Sequence, residues 1–322
     1  MRIIFLIISF FCISSAVAQQ STQFSMASLD VYQNNLSYVG IESSVSANGF
    51  YRKQWLGIDN SPQEFYLDVI VPIDYFHGGI GLSVSNDNIG LFNRYMAKVS
   101  YNYILDINMV SKISIGTGLG FLQHKINGNL IRTPDGNYKN GVDHQDIILP
   151  NSDLSTNNLG LSVAAFYQMN DLGIGVSMNE ISLTNLTFTN DGLALILNSL
   201  SYYNMFVKYN LDLMDQLKMT PSVLFKTDLI ESQLLFSIFF EYNYNIFAGM
   251  AFRGYSQSTS DAFIFSGGTR INDNFKIGYA YDMNLSSLKS VSSGSHEIFV
   301  SYNLNKKLGG GKLPGVIYNP RY

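Results

Sequence analysis

The chain has 322 residues, of which 14% are charged and 14% aromatic, with 21 Tyr, 22 Phe and a formal net charge of −4. A soluble domain is usually closer to one-quarter charged, and so mild a net charge gives no indication of a nucleic-acid partner. No apolar run after residue 20 is long enough for a membrane-spanning helix, so the balance is typical of a β-barrel wall that faces lipid.

Residues 1–18 are predicted to be a secretory signal. Arg2 supplies the positive start, residues 3–13 form the apolar stretch, and Ala16-Val17-Ala18 is a small-residue cleavage site. The only cysteine, Cys12, lies within this signal, so the mature chain is predicted to contain no disulfide and no thiolate. Residues 19–41 are polar with scattered apolar side chains, and we predict a periplasmic N-terminal segment there.

Residues 42–304 repeat a short run of alternating apolar and polar residues followed by a turn. In 274–282, for example, Phe275, Ile277 and Tyr279 share one face of a strand, because successive side chains point to opposite faces. The predicted strands are 42–55, 63–71, 78–86, 92–104, 112–123, 158–169, 172–179, 201–211, 217–226, 232–242, 246–254, 262–270, 274–282 and 296–304.

This pattern predicts an all-β fold: a single transmembrane antiparallel β-barrel of about 14 strands in the bacterial outer membrane, facing lipid. The longest predicted connections, 124–157, 180–200, 255–261 and 283–295, all fall at one end, as expected for short periplasmic turns and longer extracellular loops. Pro221 is expected to mark an irregularity in its strand. Residues 305–322 are predicted to be a periplasmic tail, which either docks on a periplasmic partner or tucks into the barrel mouth.

Four charged residues are predicted to meet inside the barrel. Strand parity and antiparallel closure place them on the inner face at the outer end of the seam between the first and last strands; they are Arg52, Glu64, Asp282 and Glu297. An arginine among carboxylates forms strong paired hydrogen bonds. Two roles remain open: the network fixes the seam, or it shapes a mouth that receives the terminal segment of a client protein.

Two long connections contain further candidate sites. Leu193, Leu195 and Ile196 are apolar in a segment placed outside, and they form either a partner-docking patch or a loop folded against the barrel. Asp143, His144 and Asp146 make a metal site conceivable, but a solvated surface is the favoured interpretation. No metal and no cofactor are predicted.

No catalytic residue is predicted. The sequence has no Gly-x-Ser-x-Gly, HExxH or phosphate-binding loop. A Ser-His-acid arrangement can be drawn around His296 with Glu297 and Asp282, but the acids are equally explained by the predicted pairing with Arg52. The chain is therefore expected not to be an enzyme, and a barrel hydrolase is the third-ranked hypothesis.

An ordered set of short motifs resembles the PorP/SprF family of type IX secretion system outer-membrane proteins. The matching segments are Gln23-Phe24-Ser25, a loose Asn35-Leu36-Ser37-Tyr38-Val39-Gly40 without the family's proline, Tyr51-Arg52-Lys53-Gln54-Trp55, Gly79-Ile80-Gly81-Leu82 with Asn86-Asp87 and Gly90, Pro221-Ser222, Gly249 with Phe252-Arg253, 277–282, Ser295-His296-Glu297-Ile298 and Tyr318-Asn319-Pro320-Arg321-Tyr322.

The resemblance implies an accessory barrel that assists secretion or surface anchoring of a specific client, such as a gliding-motility adhesin, together with other type IX components. The alternative is a diffusion channel or porin-like transporter, which would need an open lumen. Bulky residues at inward positions favour a filled lumen; they are Phe50, Tyr66, Phe247 and Phe299.

Overall fold

The computed structural model describes residues 23–139, 141–146, 149–184, 186–190, 193–197, 201–254 and 260–305. The predicted signal and nearly all of the predicted C-terminal tail lie outside these residues. No helix in the described part of the chain is both long and apolar enough to cross a membrane.

The described chain consists mainly of β-strands. They are β1 (Ser46–Lys53), β2 (Gln63–Ile73), β3 (Gly78–Ile89), β4 (Phe92–Asn108), β5 (Ser111–Ile126), β6 (Leu154–Met169), β7 (Leu172–Ser182), β8 (Leu186–Asn190), β9 (Leu193–Leu197), β10 (Tyr202–Tyr209), β11 (Leu211–Met214), β12 (Leu217–Thr227), β13 (Ser232–Tyr242), β14 (Ile246–Gly254), β15 (Ser260–Arg270), β16 (Phe275–Asn284) and β17 (Ser295–Asn303).

The strands close into one antiparallel barrel of 14 spanning segments, which confirms the predicted fold. β1 pairs with β17, and β10 pairs with both β7 and β12, so no edge is left open. β10 and β11 together form one spanning segment, and β8 and β9 form a separate hairpin. Closure satisfies the backbone hydrogen bonds that lipid cannot satisfy.

The break between β10 and β11 lies opposite the proline that the sequence singled out. β10 pairs with β12 as far as Lys208↔Ser222, and β11 resumes in the same register at Leu211↔Met219. Pro221 occupies the interval, and proline has no N–H to donate to a ladder. The irregularity expected within the strand that contains Pro221 is not found, since β12 is continuous and pairs regularly with β13. The interruption lies in the neighbouring strand instead.

The two ends of the barrel differ in the length of their connections. One end, called here the short-turn end, has tight turns such as 109–110, 170–171 and 215–216; the long-loop end carries the connections 127–153 and 183–201. Short turns face the periplasm in bacterial barrels, so the long-loop end is extracellular. The outer wall alternates as predicted, with Leu82, Val84 and Val99 exposed to lipid.

Residues 23–45 lie inside the barrel and are called the plug. They form short turns of 3-10 helix at Ala27–Leu29 and Leu36–Tyr38 and one helical turn at Val31–Asn34. Buried plug side chains include Phe24, Met26, Val31, Tyr32 and Leu36. The expected periplasmic position of residues 19–41 is therefore corrected for residues 23–41: their apolar side chains are buried in the lumen instead of being left in water.

Candidate functional site

The four charged residues predicted to meet do lie together, at the long-loop end of the lumen. Arg52 on β1 is opposite Glu64 on β2 and opposite Glu297 on β17. Its guanidinium is 2.6 Å from Asp282 Oδ2, 3.2 Å from Glu297 Oε2 and 3.7 Å from Glu64 Oε2. All four side chains are buried. Side chains alternate between the two faces of each strand, and β1 pairs with β2 and β17 in the register given above. All four charged side chains therefore lie on the inner face.

The plug is anchored on this network. The backbone N–H groups of Ser25 and Met26 donate to the Glu297 carboxylate at 2.6 and 2.8 Å. The Ser25 hydroxyl donates to Asp282 Oδ1 at 2.7 Å and accepts from Arg52 Nη1. The network therefore binds the start of the plug as well as joining the first and last strands.

A second arginine completes the network. Arg253 on β14 lies 2.8 Å from Asp282 Oδ2 and donates to the Ser25 hydroxyl at 2.8 Å. Sequence reasoning missed both Arg253 and Ser25 as partners, although each lies in a segment that carries the family resemblance. The inward parity of Arg253 with Phe247 was the available signal; the position of Ser25 depends on plug insertion, which was not predicted.

The middle of the plug is held by polar contacts to the wall. The Tyr32 hydroxyl is 2.8 Å from Ser100 Oγ, and Asn35 Nδ2 donates to the carbonyls of Ala165 and Val176 at 3.0 and 3.1 Å. Asn102 on β4 donates to the Val39 carbonyl at 2.6 Å. These hydrogen bonds give partners to polar groups of the plug and of the wall that would otherwise be buried without any.

Asp30 of the plug is buried close to Asp68 of β2. Its carboxylate accepts from the backbone N–H of Tyr32 at 3.1 Å and so caps the helical turn that follows. Burial, followed by the negative charge of Asp68, raises the pKa of Asp30 well above its ordinary value.

Glycines on the inner wall provide the space for the plug. A Cβ at Gly116 would lie 2.7 Å from Leu36 Cδ1 and 3.0 Å from the Ser37 Cα, whereas at Gly120 on the same strand its nearest neighbour would be 3.6 Å away. Both glycines are buried positions of β5 on the inner face. The plug therefore needs the space left by the missing side chain of Gly116, but it does not need the space at Gly120.

We expect Gly116→Ala to lower the free energy of unfolding by about 1–3 kcal/mol, because the plug backbone must shift to make room. Gly120→Ala is the matched control and should change it by less than about 0.5 kcal/mol. Denaturant unfolding in lipid vesicles measures both. Equal effects of the two alanines would contradict tight packing of the plug at Gly116.

The plug separates recesses at the two ends of the lumen. Phe24, Ala27 and Asn34 contribute to the long-loop recess, whereas Tyr38, Ile41 and Glu42 contribute to the short-turn recess. Between them, Tyr32 and Leu36 are 0% and 1% exposed. Along the described plug, the lumen is therefore filled.

The predicted docking residues Leu193, Leu195 and Ile196 lie on strand β9. They are opposite Asn190, Phe188 and Thr187 of β8, in a hairpin outside the barrel sheet. Leu186 and Phe188 of β8 are 2% exposed. The segment is thus a β-hairpin at the long-loop end, and its first strand has two buried side chains.

The hypothetical Ser-His-acid group is not assembled. His296 pairs with Lys53 and Tyr281, whereas Glu297 pairs with Arg52, so the histidine is on the opposite face from the acids. Its Nδ1 is 2.5 Å from the Tyr279 hydroxyl. The acids bind Arg52 instead, as the competing interpretation expected.

The connection 127–153 is organised around His144. The buried imidazole has Nε2 at 3.2 Å from the Gly128 carbonyl and 3.0 Å from the Pro150 carbonyl, and Nδ1 at 3.1 Å from the Tyr138 hydroxyl. The favoured interpretation of a solvated surface is wrong for His144, which is 1% exposed. Among described residues, no three acidic, histidine or cysteine side chains are grouped to hold a metal.

These features define a bacterial outer-membrane β-barrel whose lumen is filled by its own N-terminal segment. The chain matches the family described as "Type IX secretion system membrane protein PorP/SprF" over residues 16–302. It therefore belongs to that family and is located in the outer membrane.

Comparison with curated proteins gives no significant match. Among solved structures, the fold is similar to the Ralstonia pickettii toluene transporter TbuX, with 11% identity, a TM-score of 0.48 and coverage of 87% of this chain and 93% of that chain. It is also similar to the translocator domain of the autotransporter NalP from Neisseria meningitidis, with 12% identity, a TM-score of 0.42 and coverage of 86% and 96%.

Proposed function

We propose that this barrel is an accessory of the type IX secretion system that assists secretion or surface anchoring of a specific client protein, such as an adhesin. The observation that carries the proposal is the filled lumen: the plug is pinned at Ser25 by buried charges and packed against glycines along the wall. A barrel filled in this way serves the client as a docking platform at its outer surface.

The hairpin β8–β9 is the proposed docking element. Its first strand is anchored by buried Leu186 and Phe188, while its second strand carries the apolar run of Leu193, Leu195 and Ile196. A strand that binds a partner must be held in place by the rest of the protein, and it needs an apolar sequence that the partner can cover. The charge network of Arg52, Glu64, Asp282 and Glu297 then has a structural role: it holds the plug and the extracellular end of the barrel in place.

The test is affinity purification of the tagged barrel from native membranes, followed by quantitative mass spectrometry. Replacing Leu193, Leu195 and Ile196 by Asp should reduce the recovered client and its amount at the cell surface at least ten-fold. Type IX components should still be recovered with the variant barrel.

The matched control is Leu229→Asp with Ile230→Asp, since these exposed apolar residues lie in the β12–β13 connection at the same end. The control should leave client recovery unchanged. Equal recovery with the hairpin variant and the wild type would contradict docking on the hairpin, and absence of any secreted partner from the wild-type sample would contradict the client role itself.

A further inference from the structure

The long-loop recess is a small chamber between the plug and the barrel wall. Phe24, Ala27 and Asn34 of the plug line one side, and side chains from β2–β4, β7, β10 and β12–β14 line the other. Its volume is about 40 Å³. At roughly 10–15 Å³ for each water position, this is space for about three waters or one small polar group.

More cationic than acidic side chains line the chamber. Four cationic side chains line it, namely Arg94, Lys98, Lys226 and Arg253, against a single carboxylate among the described lining residues, Glu180. Arg94 pairs with that carboxylate at 2.9 Å and with Asp87 at 2.5 Å, and Arg253 pairs with Asp282 at 2.8 Å. These arginines are therefore already compensated.

Lys98 differs from these arginines. It is 7% exposed, and no carboxylate in the described chain lies within ion-pair distance of its ammonium. The carboxylates of Glu180, Asp68 and Asp30 act on this ammonium only from beyond ion-pair distance. An anion in direct contact would offset more of the cost of burying it. The chamber wall thus holds a cation that lacks an ion-pair partner.

A hydroxyl group without a protein partner lies near Lys98, on the neighbouring strand. Ser85 is opposite Tyr66 on β2 and opposite Met96 on β4, two residues before Lys98 on the same inner face. Ser85 Oγ is buried and has no hydrogen-bond partner within the described protein, whereas the Tyr66 hydroxyl lies close to Asp68 and Ser83. Across the chamber, the Asn204 side chain donates to the Asn34 carbonyl at 3.0 Å, but its Oδ1 has no partner.

We propose that this chamber binds a carboxylate group, with Lys98 as the counter-charge and the Ser85 hydroxyl as a donor. The Asn204 carbonyl oxygen is placed to accept from an N–H next to the bound group. Two sources share this chemistry: a free short-chain carboxylate and the carboxyl terminus of a peptide. The proposal goes beyond the client role, because it can be tested on the purified barrel without any client.

The test is calorimetric titration of the full-length barrel in detergent micelles with four probes: acetate, acetamide, triglycine and triglycine amide. Acetate or triglycine should bind at least ten-fold more tightly than its uncharged amide. Binding of triglycine but not acetate assigns the site to a peptide terminus, and binding of acetate assigns it to a free carboxylate.

Lys98→Met should weaken binding of the acid probe at least ten-fold, because one charged hydrogen bond is lost. The control is Lys112→Met, a lysine of the short-turn recess on β5, which should have no effect. If Lys98→Met does not fold, Ser85→Ala replaces it and should also weaken the acid probe. Equal binding of acids and amides, no binding of any probe, or unchanged affinity in the chamber variant would overturn the proposal and leave only ordered water there.

Discussion

Arg52→Met is expected to lower the free energy of unfolding by about 3–5 kcal/mol, because removing one partner of a buried ion network leaves the other charges uncompensated. Asp282 and Glu297 would keep Arg253, the Ser25 hydroxyl and the plug N–H groups as partners. Guanidinium unfolding in lipid vesicles, monitored by the fluorescence of Trp55, measures this change, since the chain contains one Trp.

The matched control is Arg270→Met. Arg270 is 3.9 Å from Glu241 and its side chain is 36% exposed, so its ion pair should contribute no more than about 1 kcal/mol. Arg52→Met combined with Asp282→Asn should be less destabilised than the sum of the single variants, because the unpaired carboxylate is removed as well. Equal destabilisation by Arg52→Met and Arg270→Met would contradict the role assigned to the network.

Deletion of residues 23–41 is expected to convert a closed barrel into a conducting one. The deleted residues fill the space beside the glycines of the inner wall and separate the recesses at the two ends. In planar bilayers the wild-type barrel should give no steady current, whereas the deletion variant should give a stable pore at the same protein concentration.

The deletion variant needs a control for folding. The deletion variant must retain the heat-modifiable migration of a folded barrel in gel electrophoresis, which excludes currents from unfolded protein. A large steady wild-type conductance would support the diffusion-channel alternative and remove the observation on which the docking proposal depends.

The barrel and the seam network were predictable from the sequence because both follow from local rules. Alternation with period two decides which residues face inward, and antiparallel closure with an even strand number brings Arg52 beside Glu297. The predicted strand 42–55 was too long at both ends, since β1 covers Ser46–Lys53. The residues removed from that strand belong to the plug and to the first connection.

The plug was not predictable from its own sequence. Its turns are short and polar, and its burial depends on spaces created by glycines on distant strands, such as Gly81 against the Tyr32 ring and Gly116 against Leu36. No periodicity in residues 23–45 encodes these contacts. The same limit explains why Ser25 was missed and why His144, buried by contacts from several parts of one long connection, was assigned to a solvated surface.

A disulfide between the plug and the wall tests most directly the claim that the N-terminal segment fills the lumen. Ser28 and Ser237 have their Oγ atoms 3.3 Å apart, and the only cysteine of the chain, Cys12, lies in the predicted signal. Ser28→Cys with Ser237→Cys should therefore form a disulfide in native membranes on mild oxidation, detected by mass spectrometry, while Ser28→Cys with Ser162→Cys should not. Two free thiols in the oxidised Ser28/Ser237 variant would contradict a plug inside the barrel.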